Sequence, residues 1–126
     1  MQVTINGEPH SLTGVKEAER LLAQIEQTDD LEIWASEGDG SSLCALFNRH
    51  RGWLMFLRFE GDAGFSSRNP LKEESEGPEE IFVLSNGQVD SYPSSWTMER
   101  KIVFDAFLEF VTSGRRPANV DWHDDT

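Results

Sequence analysis

The sequence predicts an α+β fold: a mainly antiparallel, strongly twisted sheet with two main helices packed on one face. Three observations lead there. Short apolar or alternating runs recur along the chain. The connections between them are mostly of hairpin length, two of them carrying Asn-Gly. Only two stretches have the 3.6-residue periodicity of a helix. With 126 residues the chain has enough material for one core and too little for two. Residues 1–126 therefore read as a single domain, with 117–126 as a tail that adds a short strand before fraying.

The elements follow in order. "QVTINGEPHSL" is a hairpin turning at Asn6-Gly7, where both residues accept positive φ. Pro9 marks its second arm as an edge strand or an irregular segment. "TGVKEAERLLAQIEQ" is a helix with Thr13 as N-cap. Its apolar stripe runs through Val15, Ala18, Leu21, Leu22 and Ile25, and Glu17 and Glu19 sit near the positive end of its dipole. "LEIWA" alternates as a half-buried strand. "SLCALFN" and "WLMFLRF" are apolar on both faces, which marks central strands covered by helices on at least one side. From Glu60 to Glu79 the periodicity disappears, and this stretch reads as a long loop. "EIFVLSNGQVDSY" is a second hairpin around Asn86-Gly87. "TMERKIVFDAFLEFVTSG" is a largely buried helix whose polar strip is Lys101, Asp105, Glu109 and Thr112. Gly114 stops it, Arg115 and Arg116 sit at the negative end of its dipole, and Pro117 follows.

Composition narrows the function. Eleven basic residues against 23 acidic ones leave a net charge of −12. Such a surface repels phosphate backbones, which argues against direct nucleic-acid binding. It attracts a basic partner, or it serves solubility alone. No run is long and apolar enough for a membrane span, and "MQVTINGEPH" lacks the basic start and apolar core of a signal peptide. The expected location is the cytoplasm. The single cysteine, Cys44, excludes an internal disulfide or a CxxC pair and reads as a small buried hydrophobe.

The catalytic vocabulary is sparse. His10, His50 and His123 are scattered, with no second ligand at helical spacing. "DWHDD" gathers His123 with Asp121, Asp124 and Asp125, a solvated acidic tail or, alternatively, a metal-dependent site. There is no GxSxG elbow and no phosphate-cradling glycine loop. Carboxylates are so abundant that no pair stands out. We therefore expect no enzyme, no metal and no cofactor.

"GFSSRNP", residues 64–70, poses the sharpest question. Gly64 and Pro70 can shape a turn in which Ser66 and Ser67 cap backbone groups and Arg68 pairs with an acid. Phe65 and Arg68, held together in a long loop, also make interface anchors. An anion or small-ligand receptor built on Arg68 and Ser67 is the alternative, and an adaptor in a larger assembly is a third.

"GFSSRNP", "EIFVLSNGQVDSYPSSW" and a helix ending "FVTSGRRPANVDW" follow one another in an order that resembles family one of the immunity proteins from bacterial polymorphic toxin systems. The resemblance covers Phe59 to Trp122 well and the first half in architecture. It implies an α+β fold and a non-catalytic antitoxin that binds a sibling toxin domain, often a nucleic-acid deaminase, and blocks it. The family's recurring positions fall here on Phe65, Ser66, Arg68, Asn69, Asn86, Gly87, Pro117 and Trp122. An acidic protein suits this role, since it can occupy a basic substrate groove. The expected contacts are loop acids and aromatics: Glu37, Asp39, Asp62, Phe65, Arg68, Glu73, Glu74 and Asp90. On this reading, charge reversal at Asp39 and Asp62 together weakens toxin binding at low salt.

Overall fold

A computed structural model describes residues 1–71 and 77–126 of the chain. The elements are β1 (Gln2–Ile5), β2 (Glu8–Ser11), α1 (Val15–Ile25), β3 (Leu31–Ser36), β4 (Ser42–Phe47), β5 (Arg51–Leu57), β6 (Phe65–Arg68), β7 (Glu79–Val83), β8 (Val89–Pro93), β9 (Met98–Glu99), α2 (Arg100–Ser113) and β10 (Asp121–Asp124), with one 3-10 turn at Ser94–Trp96. The main sheet runs β10-β6-β5-β4-β3-β1-β2, with β9 also on β5, and β7 and β8 form a separate two-stranded sheet. Every strand pairing among the described residues is antiparallel. The fold is α+β, as expected.

The alternation of side chains divides the core in two. Leu31, Ile33 and Ala35 of β3, Leu43, Ala45 and Phe47 of β4, and Leu54 and Phe56 of β5 face the helices. They pack on Ala18 and Leu22 of α1 and on Val103, Ala106, Phe107 and Phe110 of α2. The opposite pleats carry Trp34, Cys44, Leu46, Trp53 and Met55, and these are covered by Phe82, Leu84 and Tyr92 of the β7–β8 hairpin and by Trp96. So the central strands are apolar on both faces, but a hairpin rather than a helix covers the second. Cys44 is buried there, and burial raises its thiol pKa well above the ordinary value, which leaves it unreactive.

Local chemistry explains most boundaries. Asn6 (φ 48°) and Gly7 (φ 84°) both take the left-handed conformation of a two-residue hairpin turn. Helix α1 is capped by Gly14, not Thr13. The Thr13 N–H and Oγ1 instead donate to Glu17 Oε2 (3.1 and 2.5 Å), so the acid reaches back to hold the entry. Val15, expected on the buried stripe, is 40% exposed. The polar strip of α2 is exposed as expected, and Gly114 (φ 72°) ends the helix with its N–H on Phe110 O. Arg100 ties the helices to the sheet. Its guanidinium donates to the carbonyls of Glu26, Thr28 and Asp29 beyond α1 and of Asn48 beyond β4, and it lies over the rings of Phe47 and Phe104.

The expected loop from Glu60 to Glu79 contains a strand. Residues 65–68 form β6, which pairs with β5 on one side and with β10 on the other. Four residues with three polar side chains carry no readable periodicity, and only pairing with distant segments makes them a strand. The tail is that second partner, so it closes the sheet as its edge strand.

Helix α2 approaches β5 at Gly52, where a Cβ would lie 2.7 Å from Val103 Cγ2. Gly52→Ala should destabilise the fold by about 1–3 kcal/mol through overpacking. Adding Val103→Ala should recover part of that loss, and a double-mutant cycle in urea measures the coupling.

Candidate functional site

The stretch from Gly64 to Pro70 serves as a joint in the sheet. Gly64 takes φ 72°, and a Cβ there would fall within van der Waals distance of Phe56 O and Leu57 Cδ2, so the turn into β6 requires glycine. Along the far edge of β5, β6 pairs with Met55 and Phe56 and β9 with Arg51 and Gly52. Between them the Leu54 N–H meets a side chain: it donates to Ser67 Oγ at 3.0 Å, and that hydroxyl donates onward to Trp96 O at 2.9 Å. Asn69 continues the joint. Its N–H donates to Ser95 O and its Nδ2 to Thr97 O. Arg51 binds the same residue, with Nε on Thr97 Oγ1 and Nη2 on Thr97 O.

Phe65 and Arg68 do not act together. Phe65 pairs with Phe56 and faces the helix side, where it packs beside Trp122. The guanidinium carbons of Arg116 and Arg58 sit 4.6 and 5.1 Å from its ring centroid. Arg68 lies on the other side, 3.8 Å from the centroid of Trp96, with Nη1 donating to Ser66 Oγ and Ser67 O. Ser67 is fully buried and its hydroxyl is engaged at both ends. An anion receptor made of Arg68 and Ser67 does not assemble.

The predicted acids separate as well. Glu37 and Asp39 occupy the β3–β4 turn and Asp62 the β5–β6 connection, at one end of the sheet, because Ser42 pairs with Leu57. Asp39 is exposed and accepts from the N–H and hydroxyl of Ser41 (2.9 and 2.8 Å). Glu37 is half-buried beside Gly114. Asp62 is buried, with only 2% of its side chain exposed, and takes a two-pronged pair from Arg58: Nε to Oδ2 at 2.8 Å and Nη2 to Oδ1 at 2.9 Å. The Arg58 backbone N–H donates to it too. These donors, the guanidinium first, hold its carboxyl far below the ordinary aspartate range. Asp62 is therefore part of the framework, and reversing its charge would test folding rather than recognition. Asp90 is on the hairpin and accepts from Gln88 Nε2 and Tyr92 Oη. Glu73 and Glu74 lie outside the described residues.

The remaining motif residues hold the architecture. Ser66 is buried under Arg68. Asn86 Oδ1 accepts the Gln88 N–H while Gly87 (φ 89°) completes the turn between β7 and β8. Pro117 is buried and its carbonyl accepts from Trp122 Nε1 at 2.7 Å. In the tail, His123 Nδ1 meets Asp125 Oδ1 at 2.8 Å. Among the described residues no three His, Cys, Asp or Glu side chains converge as metal ligands. A groove of about 470 Å³ between α1 and α2 is lined by Leu22, Ala23, Phe104 and Leu108. Its basic groups are already engaged, Lys101 with Asp105 and Arg100 with the four carbonyls.

The two segments "GFSSRNP" and "GRRPANVDW" thus meet as neighbouring strands, with Trp122 opposite Ser67 and Asp124 opposite Phe65. The model of the family described as Immunity protein Imm1 matches residues 6–124. The chain belongs to the Imm1 immunity protein family. The match covers nearly the whole chain, including the first half, where the sequence resembled the family only in architecture. Membership gives the protein an immunity role and a toxin protein as its partner. No curated protein matches the chain. No helix among the described residues is long and apolar enough to cross a membrane.

Sequence reasoning missed one feature of this Imm1 protein. The outer face of the β7–β8 hairpin exposes Ile81 (57%), Val83 (41%) and Val89 (58%). The signal was present in "IFV": three successive apolar residues in a strand make both faces apolar.

Two outcomes test these assignments. Ser67→Ala leaves the Leu54 N–H without its acceptor and should lower stability by about 1–3 kcal/mol in urea unfolding. For Asp62, the folded carboxyl releases its proton at lower pH than the unfolded one, whose pKa is about 3.9. Its stabilisation is complete above about pH 5 and is lost as the pH falls below about 4 toward the lower folded value. The stability gap between wild type and Asp62→Asn should be constant above about pH 5 and narrow from there to about pH 3.

Proposed function

We propose that this Imm1 protein is a non-catalytic inhibitor that binds the toxin domain encoded beside it in the cytoplasm of the producing cell. The toxin is a nucleic-acid deaminase with a basic substrate groove, and an acidic surface of the immunity protein occludes that groove. Family membership over residues 6–124 is the observation that carries this reading. The net charge of −12 supports a basic partner, because opposite potentials accelerate encounter and disfavour wrong pairings. Two of the family's recurring positions are in keeping with this reading: Asn69 and Trp122 donate their side-chain N–H groups to the backbone carbonyls of Thr97 and Pro117. Inhibition by occlusion requires no cofactor and no reacting side chain from this chain.

The test is co-purification at native expression, followed by assay. One near-stoichiometric partner ending in a basic toxin domain is expected, and one equivalent of this protein should bring that domain's deamination of nucleic acid to background. Undiminished toxin activity at a several-fold excess would refute the proposal.

A further inference from the structure

We propose that the outer face of the β7–β8 hairpin is the surface that docks the toxin, with Ile81, Val83 and Val89 entering an apolar depression rimmed by Lys and Arg. This rests on the immunity reading above and names the surface that reading leaves open. Val83 stands directly opposite Val89, and Ile81 opposite Ser91. Three β-branched side chains thereby form one contiguous exposed patch on a two-stranded sheet that pairs with no other described strand. Such a patch in water is an association site.

The platform beneath it is rigid. Phe82 is fully buried on the inner face. Tyr92 stacks on Trp53 with ring centroids 4.3 Å apart and planes 7° from parallel. The hairpin tip is pinned where the Ser85 N–H and hydroxyl donate to Glu32 Oε1 (3.0 and 2.8 Å), and β7 is held where Asn48 Nδ2 donates to Ile81 O (3.1 Å). A preorganised surface loses little entropy on binding.

Charge identifies the occupant. Glu79 is exposed beside the patch, on the face of Ile81 and Val83, where it accepts from Ser91 Oγ, and residues 77–93 contain no Lys or Arg. Glu80 and Asp90 stand opposite Tyr92 and Phe82 on the inner pleat. A second copy of the chain would bring the Glu79 of each molecule to the same two-fold interface between molecules of charge −12. A protein face with a basic rim meets Glu79 and the net charge of −12 favourably.

The experiment measures binding of the purified neighbouring toxin domain to the full chain by calorimetry. Ile81→Thr, Val83→Thr and Val89→Thr are combined because threonine keeps β-branching. Ser91→Arg is a second variant that adds a positive charge on the same face without touching the core. The triple variant should bind about 100-fold more weakly and the arginine variant about tenfold or more, with unchanged thermal melts. Glu19→Gln on α1 should bind as wild type does. If wild type binds and both hairpin variants bind equally well, the surface is wrong and the immunity reading stands. If wild type itself binds no toxin, the immunity reading falls and this inference with it. A wild-type dimer that the triple threonine variant converts to monomer would overturn the assignment in favour of a self-interface.

Discussion

The structure depends on how the outer edge of β5 is satisfied. That edge is shared by two short strands, β9 near its start and β6 near its end, and neither reaches the Leu54 N–H. A buried amide without an acceptor is costly, and the Ser67 hydroxyl supplies one while donating its own hydrogen bond to Trp96 O. One side chain thereby joins the middle of β5, β6 and the segment leading into α2. Asn69 and Arg51 reinforce the same junction through Ser95 and Thr97. With the junction made, β6 presents its free side to β10, and the chain's last strand has a place to pair.

From that sheet the two-sided core follows. The helices cover one face and the aromatic underside of the hairpin covers the other. Each cover is fastened by polar contacts at its ends, α1 and α2 through Arg100, and the hairpin through Glu32 and Asn48. The hairpin is thin, only two strands, and among the described residues no further strand layers over its outer face. Ile81, Val83 and Val89 therefore stay exposed there.

Charge acts differently at different places in this chain. The net value governs long-range attraction, yet individual acids are committed to the fold: Asp62 to Arg58, Glu32 to the hairpin tip, Glu17 to the start of α1. An excess of acid in the composition therefore does not say which carboxylates meet a partner. Exposure decides that: Asp39 and Glu79 stay exposed even while they accept from Ser41 and Ser91, whereas Asp62 is buried against Arg58.

The sequence by itself determined the α+β class, both hairpins, both helices, the three central strands and, through its ordered motifs, the immunity family. Those features rest on local periodicity and turn chemistry, or on several motifs in a fixed order, and each is readable within a short window. Only the tertiary structure decided that Phe65–Arg68 is a strand, that the tail completes the sheet, and that a hairpin covers the second face. It also separated Phe65 from Arg68 and placed Asp62 in the framework. The physical reason is common to all of these. They depend on hydrogen bonds and burial contributed by residues far away in the chain, such as Ser67 with Trp96 and Phe65 with Asp124, and no local pattern encodes the identity of a distant partner.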